Sequence, residues 1–203
     1  MTSEEFVSLL VLATTMSFTP GPNTLLSASL GANLGVRGAL RFIVAVPAGW
    51  TVMVLATGVG LGALVAAAPG VREALKILGV AYLIWLSARL AFASAPGEGS
   101  VRLRIGFWQG VGLQFVNIKA WMLALALVAG WVTSAAGAVP SNPGERLGIV
   151  CAVMAVFALT SNSVYAMAGS LLRRWLAQGT RLVWFNRFMG LSLLATALWM
   201  LRA

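Results

Sequence analysis

The chain is 203 residues long, 60% hydrophobic and only 9% charged, against about 25% charged for a soluble domain. Fourteen Lys and Arg against five acidic residues leave a net charge of +9, with no His, no Asp and one cysteine, Cys151. That inventory excludes an internal disulfide, a dithiol relay, Ser-His-Asp catalysis, a His-ligated metal centre and Asp-based phosphoryl transfer. The basic residues are thinly spread between long apolar runs, which suits lipid headgroups better than nucleic acid.

A membrane helix needs about 20 mostly apolar residues. Uncharged runs at 6–36, 42–71, 120–144 and 147–172, with shorter ones at 77–88, 105–118 and 188–201, predict an all-α membrane protein. Six transmembrane helices are expected, at about 5–34, 38–67, 71–93, 106–133, 146–172 and 182–202, in a single domain over 1–203. The first residues, Met1-Thr2-Ser3-Glu4-Glu5, are acidic where a signal peptide is basic, so the first helix is expected to stay in the mature chain.

The first run is too long for one straight helix, and Thr19, Pro20, Gly21, Pro22 and Asn23 sit near its middle. Two prolines remove two backbone donors and clash with the preceding turn, while Gly21 frees the backbone between them. The helix is predicted to split into about 5–17 and 23–34, with Asn23 as the cap of the second half. The free N–H groups and positive dipole end of that half-helix form a ready site for a substrate carboxylate. The plainer alternative is a proline kink that only shapes packing. Clustered glycines, Gly31, Gly35 and Gly38, then Gly58, Gly60 and Gly62, then Gly106, Gly110 and Gly112, suit close helix contacts.

Segment 94–105 reads as the linker between two halves. In the fourth helix Lys119 stands between uncharged stretches, beside Asn117 and Gln114. A lysine there costs about 2.5–3.5 kcal/mol on insertion scales, and no intramembrane acid is available to neutralise it. An anionic group arriving with a substrate would. The alternative is that 120–138 is the span and Lys119 its interfacial end. Segment 134–145 is a second linker. In the fifth helix Thr160, Ser161, Asn162 and Ser163 make one polar turn, with packing as their expected role and Asn162 as a candidate cavity residue. Trp50, Trp85, Trp121 and Trp199 are read as belt or packing residues, and Cys151 as an apolar filler.

Orientation follows from counting basic residues at the helix ends. One side carries Arg72, Lys76, Arg146 and Arg202; the other carries Arg37, Arg41, Arg89, Arg102, Arg104, Arg173, Arg174, Arg181 and Arg187. The richer side is expected to be cytoplasmic, leaving both termini outside. A re-entrant first run would instead move the N-terminus inside. The six helices divide into two threes, each opening with an interrupted helix. Lys76-Ile77-Leu78-Gly79 with Leu83 echoes Arg187-Phe188-Met189-Gly190 with Leu194. A three-helix unit repeated in tandem must invert in the membrane, and inverted repeats with broken helices are a transporter pattern.

Several motifs, in order along essentially the whole chain, resemble the LysE/RhtB family of amino-acid exporters. They are Phe18-Thr19-Pro20-Gly21-Pro22-Asn23 with Gly31, Gly35 and Gly38; then Pro69 with Leu75-Lys76, Gly79 and Tyr82-Leu83; then Phe107, Gly110, Gln114, Asn117 and Lys119-Ala120. The resemblance implies secondary export of amino acids from the bacterial cytoplasm, through the inner membrane, driven by the proton gradient. Two departures qualify it. The family's Asn-Pro-Lys is Asn117-Ile118-Lys119 here, so a milder second break is expected. Members that export basic amino acids tend to carry an acid after a glycine in the second span, where this chain has Gly49-Trp50, which favours a neutral substrate.

The resulting expectation is a neutral amino-acid exporter working by alternating access. Thr19, Pro20, Gly21, Pro22, Asn23 and Lys119 would bind the carboxylate, with Gln114, Asn117 and Asn162 contributing. No cofactor, metal or nucleic acid is expected, and no enzymatic activity. A homodimer fits so small a transporter. No titratable carboxylate lies inside a span, so the coupling site is open. A carrier of a metal or other solute, or a non-transporting assembly or signalling partner, is the alternative.

Overall fold

The computed structural model describes residues 1–62, 67–93, 105–133 and 142–202. The described residues form helices and their connections. In chain order these are α1 (Ser3–Phe18), α2 (Pro22–Gly58), α3 (Pro69–Ala91), α4 (Phe107–Val116), α5 (Ile118–Leu127) running on into a π-helical turn Val128–Thr133, α6 (Pro143–Leu176) and α7 (Arg181–Arg202). Most of both linkers, 94–104 and 134–141, lies outside the described residues.

Four helices, α2, α3, α6 and α7, are long and apolar enough to cross a membrane, and the bent pair α4–α5 makes a fifth. The expected all-α membrane architecture therefore holds, with boundaries that differ from the sequence reading. The predicted helix over 38–67 ends at Gly58, and it is continuous with the half-helix before it except at Gly35. Gly35 takes φ +74° and ψ 172° inside α2, a conformation that glycine alone adopts at no steric cost. Its turn faces the arginine-rich rim: a side chain added there would meet Arg173 Nη1 at 3.3 Å.

α2 packs chiefly against α6, α3 against α7, and α2 also against α4. Without a hydrophobic driving force between helices in lipid, close backbone approach must hold such pairs. The glycines supply it. A Cβ on Gly31 would collide with the carbonyl of Ala166, and one on Gly169 with that of Ala28, so α2 and α6 touch backbone to backbone. Gly79 of α3 rests in the same way on the Val116 carbonyl at the end of α4. Phe42, Leu26, Leu30, Leu9, Met53, Leu113 and Leu127 fill the centre. Trp50 and Trp121 are buried in it, whereas Trp85 and Trp199 face outward. Cys151 is buried, as a filler should be. Gly190 of the second echo motif packs on Ser87, whose hydroxyl donates to the Gly190 carbonyl at 2.7 Å.

Two features mark the opposite rims. On the arginine-rich rim, guanidinium groups lie over indole rings: Arg89 over Trp85 at 5.1 Å, Arg181 over Trp175 at 4.7 Å and Arg187 over Trp184 at 5.2 Å. On the other rim, Arg146 Nη2 donates to Glu5 at 3.0 Å, Arg146 Nη1 to the Trp131 carbonyl at 3.3 Å, and the Trp131 indole to the Glu5 carbonyl at 2.9 Å. This knot joins the start of α1, the π-helical turn and the start of α6. Removing one member should cost nearly as much as removing both. Arg146→Met is expected to lower the thermal midpoint of the purified protein. Adding Glu5→Gln should lower it little further, because the charges are coupled. Strictly additive losses in the double variant would show that the pair is not coupled.

Candidate functional site

Both interrupted helices break where polar residues replace apolar ones, and each break is repaired by a side chain from elsewhere. α1 stops at Phe18, because Pro20 and Pro22 cannot continue its hydrogen bonds. The Tyr165 hydroxyl of α6 donates to the Phe18 carbonyl at 2.9 Å, and the Thr19 hydroxyl donates to the Thr15 carbonyl. At the second break Asn117 leaves helical geometry (φ −90°, ψ 100°), and the Trp121 indole donates to the Phe115 carbonyl at 2.7 Å. Freed backbone groups in an apolar surround need such partners. The second break is not mild. α4 and the helix after it meet at a 72° bend. No proline is needed, because the extended Asn117 backbone and the Gly79 contact turn the chain.

The cap of α2 differs from the sequence reading. Gly21 is the N-cap and Pro22 the first helical residue, where its missing N–H costs nothing. The Thr24 hydroxyl closes the cap, accepting from Gly21 N–H at 2.9 Å and donating to the Gly21 carbonyl at 3.1 Å. Asn23 is not the cap. Its carboxamide pairs reciprocally with that of Gln114, at 2.9 and 3.1 Å. The first helical hydrogen bond runs from Leu25 N–H to the Gly21 carbonyl. The amides of Asn23 and Thr24 precede it and form the positive end of the helix dipole.

The two breaks meet at a cavity of about 70 Å³ that opens to the outside. Thr19, Gly21, Pro22, Asn23, Asn117, Lys119 and Asn162 all border it. Pro20 borders a neighbouring recess on the α7 side, which Lys119 also reaches. Gln114 lies behind the wall, fully buried, holding Asn23 and donating to the Gly110 carbonyl at 3.0 Å. Lys119 is half-buried and, among the described residues, is the sole charged side chain bordering the cavity. Its Nζ lies 3.9 Å from where a Gly21 Cβ would stand, directly beside the α2 N-terminus.

Asn162 is 2% exposed, accepts from the Ser27 hydroxyl at 2.7 Å and donates to the Ala158 carbonyl at 2.8 Å. Of its polar turn, Ser161 also borders the cavity, while Thr160 faces outward and bonds back to Val156. Residues that sequence reasoning missed complete the wall: Thr24, Ser17, Trp50, Met16, Met154 and Leu123. Thr24 was findable, since a hydroxyl three residues past Gly21 can close a cap. The thioethers had no local signal. Among the described residues no group of three His, Cys, Asp or Glu could hold a metal ion.

Comparison with known proteins gives the family. The family model described as LysE type translocator matches residues 14–203. A cysteine/O-acetylserine efflux protein of Salmonella choleraesuis is 30% identical over 159 residues, 78% of each chain. One of the same description from Klebsiella pneumoniae is 30% identical over 170 residues, 83% of this chain and 84% of its own. An Escherichia coli counterpart is 28% identical over 163 residues, 80% of each. No solved structure matches.

Proposed function

The chain belongs to the LysE type translocator family, and from that premise we propose that it exports small neutral amino acids or their derivatives from the bacterial cytoplasm. The relatives named for cysteine and O-acetylserine efflux support that class. The observation that carries the reading is Lys119. Among the described residues one cation stands beside a bare helix N-terminus, with no acid on the cavity wall. A carboxylate satisfies both, and a cationic side chain would find no partner there. Trp50 and the thioethers of Met16 and Met154 leave the side-chain end apolar and soft.

The proposed mechanism is alternating access of two inverted three-helix halves, about 1–93 and 106–203, driven by the proton gradient. α1 with the first arm of α2 would be one broken span, and the second arm, after Gly35, the next. α3, the bent pair, α6 and α7 would complete six. The contact of Gly35 with Arg173 supports a turn at the arginine-rich, cytoplasmic rim. The ion pair of Glu5 with Arg146 supports an N-terminus on the opposite one.

Everted membrane vesicles test this directly. Energised vesicles carrying the protein are expected to accumulate labelled L-cysteine and O-acetyl-L-serine and to ignore L-lysine. Accumulation of lysine would overturn the neutral class; accumulation of no amino acid would overturn the function. Pro20→Ala with Pro22→Ala is expected to lower uptake about tenfold or more by letting α1 run into α2 and retracting the bare amides. Unchanged uptake by that double variant would separate the break from transport.

A further inference from the structure

One residue that borders the cavity carries a polar atom with no role in holding a carboxylate. Asn117 borders the cavity at 5% exposure, and its Oδ1 is buried with no hydrogen-bond partner. Its position makes this unusual. Asn117 is the N-cap of α5, where an asparagine oxygen ordinarily accepts from the second or third amide of the helix. Here the side chain makes no cap bond, and only the backbone carbonyl is used, by the amides of Ala120 (2.9 Å) and Trp121 (3.2 Å). The other buried carboxamides of this region are committed: Gln114 to Asn23 and Gly110, Asn162 to Ser27 and Ala158. An orphaned oxygen can only be missing a donor, and leaving it desolvated without one is costly.

The carboxylate reading supplies that donor. An amino acid whose carboxylate meets Lys119 also brings an α-ammonium with three N–H groups. Among the described residues no acid borders the cavity, so the ammonium needs a neutral acceptor. We propose that Asn117 recognises the substrate's ammonium group through Oδ1 and restricts export to solutes with a free α-amino group. This rests on the amino-acid reading above.

The test separates recognition from shaping of the break. Everted vesicles take up labelled L-cysteine under reducing conditions. Unlabelled L-cysteine and its deaminated analogue, 3-mercaptopropionate, serve as competitors. Wild type is expected to prefer L-cysteine about tenfold or more, the worth of a hydrogen bond to a charged group. Asn117→Leu should lose that preference by weakening L-cysteine alone, and Asn117→Asp, which keeps the acceptor, should retain it. Equal weakening of both competitors by Asn117→Leu, or a preference left intact, would overturn the proposal. Failure of wild type to take up L-cysteine, with O-acetyl-L-serine also ignored, would overturn the amino-acid reading and this inference with it. N-acetyl-L-cysteine taken up as well as L-cysteine would overturn the inference alone.

Discussion

Lys119→Ala is expected to slow export about tenfold to a hundredfold while the protein still inserts in the membrane. Among the described residues the wall holds no second charge to take over, and the ammonium stands against the backbone of the first break. A hydrogen bond to a charged group is worth about 1.5–3 kcal/mol, so loss of this one alone slows transport about tenfold to a hundredfold. Lys119→Arg keeps the charge but replaces a compact ammonium by a planar fork, and should restore part of the activity. Uptake by everted vesicles, normalised to the protein detected in the membrane, measures both. Full activity in Lys119→Ala would remove the carboxylate clamp. Equal inactivity of the alanine and arginine variants would mean that placement of the ammonium matters as much as its charge.

The second large effect falls on assembly. Gly31→Val puts a branched side chain where the Ala166 carbonyl already stands, and the obstacle is backbone rather than a mobile side-chain end. Overpacking of this kind costs about 1–3 kcal/mol even where neighbours can yield. Here two long helices would have to separate. The expected result is a sharp fall in membrane accumulation and in thermal midpoint after purification, and Gly169→Val should match it. Gly112→Ala is the control, since nothing stands within 4 Å of its added carbon. A Gly31→Val protein as stable as wild type would show that α2 and α6 are not held by backbone contact.

Much of this site was legible in the chain, and the illegible parts share a physical cause. Pro20-Gly21-Pro22 announces a broken helix by itself, because ring closure and missing donors act locally. Lys119 announces itself by the absence of any acid to meet it. The cap was misread because Asn23 and Thr24 are both good cap formers. What decides between them is Gln114, 91 residues away, which takes the Asn23 carboxamide. The sharpness of the second break was hidden for a similar reason. Its support comes from Gly79 on another helix and from Trp121 folding back to Phe115. Gly35 was read as one more contact glycine, although it lies in a left-handed turn. The π-helical turn and the Glu5–Arg146 pair leave no pattern that a local window could hold.

The guanidinium–indole pairs give the molecule a waterline. An indole settles at headgroup depth, and a cation held over its ring settles with it. Three such pairs lie along the arginine-rich rim. A bilayer that thins or thickens must then be accommodated at the far rim. There the knot of Glu5, Arg146 and Trp131 ties three helix ends together. A change in bilayer thickness would therefore fall on the clasp at that rim, where Glu5, Arg146 and Trp131 meet.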